Sequence, residues 1–126
     1  MSKTILIAED NDVTREMMAA VLKQEGYAIV QAVDGSTAMK VVKDKPVDLA
    51  LVDLHMAPAG GFDFVKYIKA EGLDIPVIII TADQGSDLLL AAKKHGILRL
   101  LQKPVEPDQL KNLVAMAMKK IFGREG

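Results

Sequence analysis

Five polar side chains stand where short apolar runs end, and together they could hold a cation and a phosphoryl group. Glu9 and Asp10 follow Thr4-Ile5-Leu6-Ile7-Ala8, Asp53 follows Leu49-Ala50-Leu51-Val52, and Thr81 follows Val77-Ile78-Ile79-Ile80. The run from Ile97 to Leu101 leads to Lys103-Pro104. A fully apolar run of strand length reads as a strand buried on both faces. An ionised Asp at its end belongs at the sheet's edge, because an unpaired buried carboxylate is too costly. Carboxylates gathered at one edge repel and raise one another's pKa. A hard divalent cation relieves this, and oxygen ligation without Cys or His points to magnesium. With Lys103 adding its charge, a phosphoryl group can approach. Asp is a competent covalent nucleophile and forms an aspartyl phosphate. Phosphoryl transfer asks for positioning and charge neutralisation more than proton chemistry. On this reading Asp53 attacks, Glu9 and Asp10 hold the metal, and Lys103 and the Thr81 hydroxyl bind phosphoryl oxygens. Taken singly, Asp10, Asn11 and Asp12 suit helix caps, Thr81 a strand end and Lys103 a solvated charge. The signal is their combination, each at the same end of a different strand.

The elements that must position these groups alternate. Thr4–Ala8 reads as a strand, Asn11 or Asp12 caps a helix carrying Val13, Met17, Ala20 and Val21 at helical spacing, and Gly26 stops it. Ala28–Ala32 is a second strand; Asp34-Gly35 turns the chain, Ser36 caps, and a short helix runs to about Lys43 before Pro46. After the third strand, His55-Met56-Ala57-Pro58-Ala59-Gly60-Gly61 reads as a loop. Phe62, Val65 and Ile68 mark a helix stopped by Gly72, and the fourth strand follows Pro76. Ala82-Asp83-Gln84-Gly85 leads to Ser86 as cap of a helix lined by Leu88, Ala91 and Ala92, ended by Gly96. Ile97 to Leu101 is the fifth strand. Pro107 opens a last helix in which Leu110, Leu113, Val114, Ala117 and Ile121 follow the 3.6 period. Repeated strand–helix alternation implies a doubly wound α/β fold, a parallel sheet with helices on both faces. Ligands of such sheets bind beyond the C-terminal strand ends. His55 and His95 carry no metal-ligand spacing and read as surface residues, and the methionines as core filler.

With 126 residues, the chain is expected to be one domain spanning 1–126. Half of it is hydrophobic and 26% charged, which argues against disorder. A net charge of -1 provides no field to draw it onto nucleic acid or a membrane. Without cysteine, disulfides, thiol catalysis and Cys-ligated metals are excluded. No signal-peptide pattern or membrane-length apolar stretch is present, so a cytoplasmic protein is expected. The closing Arg124-Glu125-Gly126 reads either as a natural end or as the cut edge of a longer protein.

Glu9-Asp10, Asp53 with Leu54-His55-Met56, Thr81-Ala82 and Lys103-Pro104, in this order and spacing, resemble the receiver domain of two-component response regulators from Ile5 to about Phe122. The resemblance implies a flavodoxin-like five-stranded sheet in the order 2-1-3-4-5 with five helices. It implies Mg²⁺ at Glu9, Asp10 and Asp53, a metal contact from the His55 backbone carbonyl, and a cis peptide before Pro104. Asp53 becomes the phosphoacceptor, served by Thr81 and Lys103, while small Ala82 leaves the site open. His55 and Asp83 match variable positions that tune dephosphorylation. A sensor histidine kinase or phosphotransfer protein is the implied donor. The implied output surface, open to partner binding or homodimerisation, is the face of the fourth helix, fifth strand and fifth helix. The Glu9-Asp10-Asn11 wording is similar to receivers attached to hybrid sensor kinases.

Three departures qualify the resemblance. Ala57 stands where the family usually has Pro, with Pro58 one later, so a different path is expected for Met56 to Gly61. Leu100 replaces the usual Tyr or Phe, so coupling of a Thr hydroxyl to a swinging ring is not expected. Val105 replaces a frequent Phe. Other readings stay open at this point. One is a receiver-like binding module that no longer signals by phosphorylation. Another is an Asp-nucleophile phosphatase of the haloacid-dehalogenase type, although those carry a second Asp where His55 stands and place the nucleophile after the first strand. Neither a Walker loop nor G-x-G-x-x-G is present for nucleotide binding.

Overall fold

Alternation within uninterrupted apolar strands divides the core into two layers. The computed structural model, which describes residues 2–123, contains β1 (Thr4–Ala8), α1 (Asp12–Gln24), β2 (Ala28–Ala32), α2 (Gly35–Asp44), β3 (Leu49–Asp53), α3 (Gly61–Ala70), β4 (Val77–Thr81), α4 (Ser86–Lys94), β5 (Arg99–Gln102) and α5 (Pro107–Phe122). The strands form one parallel sheet in the order β2-β1-β3-β4-β5, as expected. The Arg124-Glu125-Gly126 ending lies outside the described residues.

Ile5, Ile7, Leu49, Leu51, Ile78, Ile80 and Leu101 pack under α1 and α5, against Met18, Leu22, Leu110 and Val114. Their neighbours Leu6, Ala8, Ala50, Val52, Val77 and Ile79 pack under α2 and α3, against Ala38, Val42, Phe64 and Ile68. Burial at both faces accounts for the lack of any polar residue in β3 or β4 before its last position. Each large side chain so buried contributes about 1.5–3 kcal/mol of transfer free energy. Among the described residues no helix is long and apolar enough to cross a membrane.

The register aligns the strand ends. Ala8 pairs with Val52, so Glu9 lies beside Asp53 in sequence order; Thr81 pairs with Gln102, which sets Lys103 one residue further.

Several expectations are corrected. The buried face of α1 is Arg15, Met18, Ala19 and Leu22; of the expected row, Met17 and Val21 are half-buried against the same core, while Ala20 and Val13 are exposed. Two apolar rows run along this helix, and Arg15 made the true one look polar. The α2 cap is Asp34, whose Oδ1 accepts from the Thr37 N–H at 2.8 Å, and not Ser36. Gly85, not Ser86, caps α4, with no side-chain bond. β5 begins at Arg99 because the Ile97 N–H is held by the Ala92 carbonyl of α4. His95 is half-buried, its ring stacked on Phe62 with centroids 4.9 Å apart. Asn11 does cap α1, accepting from the Thr14 N–H at 2.9 Å. Gly26 (φ 96°) and Gly96 (φ 70°) close the helices before β2 and β5 in a conformation that favours glycine.

Candidate functional site

Glu9, Asp53 and Thr81 are buried in a molecule where the only other buried polar or charged residue is Arg15, among those described. All three stand at the C-terminal ends of the central strands. One carboxylate oxygen from each of Glu9, Asp10 and Asp53 lies within 4.8 Å of the others, and Asp10 is the exposed member. Lys103 enters from the loop after β5. Its Nζ is 3.0 Å from Asp53 Oδ2 and 2.8 Å from Glu9 Oε1. The five residues singled out by type and spacing thus converge on one edge of the sheet.

Local structure fixes each group. The His55 N–H donates to Asp53 Oδ1 at 3.3 Å, and the Asn11 N–H to Glu9 Oε2 at 3.1 Å. The Thr81 hydroxyl oxygen accepts from the Asp83 N–H at 2.9 Å. The Lys103 N–H donates to the Thr81 carbonyl at 2.9 Å, and the Lys103–Pro104 peptide is cis, as the resemblance implied. A second cis bond, Ala57–Pro58, lies in the loop where the sequence departs from the family pattern. Ala82 is exposed and lines a hollow with Asn11, Lys103 and Pro104; His55 lines another with Asp10 and Met56. The second hollow includes Asp10 of the acidic cluster, and the first includes Lys103.

The electrostatics show what the cluster lacks. Burial, then the Asp53 carboxyl beside it, pushes the Glu9 carboxyl up to about 7, against the lowering effect of Lys103. Burial pulls the Lys103 ammonium down, but Glu9 and Asp53 outweigh it and its pKa is raised. Glu9 Oε1 is buried, and the Lys103 ammonium, 2.8 Å away, is its one partner. Three carboxylates within 4.8 Å of one another, two of them buried and sharing one ammonium, suit a hard cation. The donor set therefore fits Mg²⁺.

Sequence reasoning missed Arg15. Its guanidinium donates to the Glu9 carbonyl at 2.8 Å, to Asp12 Oδ1 at 2.7 Å and to Gln31 Oε1 at 3.0 Å. It also missed that Asp83 joins two loops through a 2.6 Å contact with His55 Nε2. The Arg15–Asp12 pair is local to α1, but the Arg15 contacts to Glu9 and Gln31 and the Asp83–His55 contact span separate elements, and no local pattern announces them.

Comparison with known proteins agrees with this geometry. The chain matches the response regulator receiver domain family over residues 5–115. It is 34% identical to the CAI-1 autoinducer sensor kinase/phosphatase CqsS of Vibrio cholerae, over 90% of this chain and 17% of that protein. It is also 34% identical to the response regulator GtcR of Aneurinibacillus migulanus, over 97% of this chain and 50% of that protein. The chain thus spans half or less of these relatives' length. A CheY-like response regulator receiver domain protein from Methanospirillum hungatei shares its fold, with a TM-score of 0.89 at 21% identity over 100% of both chains.

Proposed function

Since the chain belongs to the response regulator receiver domain family, we propose that it is a phosphoacceptor switch in which Asp53 takes a phosphoryl group from a histidine kinase or phosphotransfer protein. The observation that carries this reading is the buried Asp53 carboxylate, held 3.0 Å from Lys103 Nζ and within 4.8 Å of Glu9 and Asp10 oxygens. In the transfer, an Asp53 carboxylate oxygen forms the new P–O bond. The donor's N–P bond breaks, and its electron pair stays on the leaving imidazole. Glu9, Asp10, Asp53 and the His55 carbonyl are the residues that would hold Mg²⁺. Bound there, the ion supplies charge neutralisation for the incoming phosphoryl oxygens.

The chain's own groups do the rest. Lys103, now shared between Glu9 and Asp53, turns to a phosphoryl oxygen once the carboxylates are otherwise neutralised. The Thr81 hydroxyl, at the end of the neighbouring strand, donates to a second. Ala82 leaves the approach open. The chain acts only on its own Asp53, gaining and losing the phosphoryl group, and is not an enzyme toward other substrates. The output is a changed preference of the face of α4, β5 and α5 for a partner or a second copy. A coupling of about 1–3 kcal/mol suffices for such a shift. We place the domain in the cytoplasm, where kinase and nucleotide meet, and read residues 1–126 as one receiver domain of a free-standing or larger regulator.

Acetyl phosphate with Mg²⁺, followed by intact mass, tests the reading. One phosphoryl adduct is expected on the native chain and none on Asp53→Ala. An unmodified native chain, or an undiminished adduct on Asp53→Ala, overturns it.

A further inference from the structure

The edge of the sheet opposite the acidic cluster carries a cavity of its own. It lies where β4 and β5 begin, between the C-terminal ends of α3 and α4, and has a volume of about 260 Å³. Val65 and Ile68 of α3, Leu73 and Ile75 of the loop before β4, and Ile97 of the loop before β5 line it. Val65 and Ile68 are buried and the other three half-buried, so its floor is apolar. Two residues of opposite charge, Lys69 and Asp74, share its wall.

The two charges are held differently. The Lys69 ammonium donates to the His95 carbonyl at 2.6 Å, which ties the end of α3 to the end of α4. An ammonium has three donors, so two remain. The His95 ring is stacked on Phe62, and burial, then Lys66, Lys69 and Lys94, keep its pKa below the ordinary imidazole range. That crowding makes the side of the cavity formed by α3 and the end of α4 electropositive. Asp74 is exposed and stands in the loop between α3 and β4. Among the described residues, neither Asp74 nor Lys69 belongs to an ion pair. An anchored cation and an unpaired carboxylate thus flank one apolar hollow.

We propose that this cavity binds a free amino acid with a branched aliphatic side chain, its carboxylate on Lys69, its ammonium on Asp74 and its side chain on the apolar floor. Charges of both signs on one wall select a zwitterion over a simple anion or cation, and each end of the ligand gains a charge-assisted hydrogen bond. The volume lies below the roughly 300–1,000 Å³ of pockets for drug-sized ligands, which leaves no room for a nucleotide or a peptide. The side chains of Val65, Ile68, Leu73, Ile75 and Ile97 offer no hydrogen-bonding group, so a polar amino acid would lose its bonds to water on entry. Because the cavity stands at the strand ends opposite Asp53, the proposal does not depend on the phosphoacceptor reading.

Titration of the full chain with L-leucine, followed by amide NMR, tests this. The amides of Leu73, Ile75, Gly96 and Ile97 are expected to shift saturably, while those of Glu9, Asp10 and Thr81 stay in place. 4-Methylpentanoate lacks the ammonium and isoamylamine lacks the carboxylate, and each should bind at least about tenfold more weakly than leucine. Asp74→Asn, at an exposed loop position, and Lys69→Gln should weaken leucine binding to the same extent, with the rest of the spectrum unchanged. The absence of a saturable shift up to about 10 mM leucine overturns the site. So does equal binding of leucine and 4-methylpentanoate, or undiminished binding by Asp74→Asn. Shifts confined to the acidic cluster overturn it as well.

Discussion

Arg15 is a buried cation that never touches the metal cluster's carboxylates, yet it holds their backbone. By gripping the Glu9 carbonyl, Asp12 and Gln31 together, it locks the turn between β1 and α1 on which Glu9 and Asp10 sit. Arg15→Met keeps much of the stem's packing but leaves the Glu9 carbonyl without its donor. We expect a loss of ~1–3 kcal/mol in urea unfolding and, by calorimetry, a several-fold weaker Mg²⁺ affinity. The chain has no tryptophan to report binding by fluorescence. An unchanged affinity would reduce Arg15 to packing. At this scale the sequence was readable where chemistry demands a residue type: the five side chains at strand ends had to be polar against an apolar background. It was unreadable where a contact crosses between elements. Arg15 looked like one more polar position of α1, and Asp83 was matched by resemblance to a variable position without its contact to His55 being visible.

The central strands β1, β3 and β4 were legible as elements because burial on both faces leaves a short continuous apolar run. Helix faces were less so. Apolar residues on α1 admit two rows, and only the packed structure shows that Met18 and Leu22 face the sheet. The caps at Asp34 and Gly85 differ from the expected serines because Asp34 supplies its own acceptor and the loop before α4 turns through a positive φ. The loop after β3 has a packing reason for its Gly60-Gly61 pair. A Cβ on Gly61 would stand 2.7 Å from Ile79 Cδ1 and 3.0 Å from the Asp53 carbonyl oxygen. The start of α3 must therefore lie directly on the end of β3, which fixes Asp53 from behind. Gly61→Ala suits a helix by up to about 1 kcal/mol, but overpacking against backbone costs ~1–3 kcal/mol. We expect net destabilisation in urea unfolding and slower formation of the Asp53 adduct. A gain in stability would mean that α3 can lift away without disturbing the site.

For the molecule as a whole, folding gathers acidic side chains that the unfolded chain keeps apart, so stability, pH and magnesium are linked. Glu9 titrates at about 7 in the metal-free fold, against 4.5 for the ordinary side chain. Between these values the native state holds more protons than the unfolded chain, so the Glu9 contribution is present below about pH 4.5 and is lost as pH rises through about 7. Its size is on the order of 1–3 kcal/mol. His95 acts in the opposite sense. Burial, and then Lys66, Lys69 and Lys94, lower its pKa, so its contribution is lost as pH falls below the ordinary imidazole range. Comparing the native chain with Glu9→Gln separates the two, because only the Glu9 part disappears. In chelator, melting temperature should fall from pH 5 to pH 8 more steeply for the native chain than for Glu9→Gln, over roughly that window. Magnesium reverses the sign of the argument. Bound at ionised Glu9, as proposed, it would displace the Glu9 proton and stabilise the native state by mass action. The rise in melting temperature with millimolar Mg²⁺ should therefore be larger at pH 8 than at pH 5, and small for Glu9→Gln at either. A magnesium effect of equal size at both pH values would show that Glu9 is not the group whose proton the metal displaces.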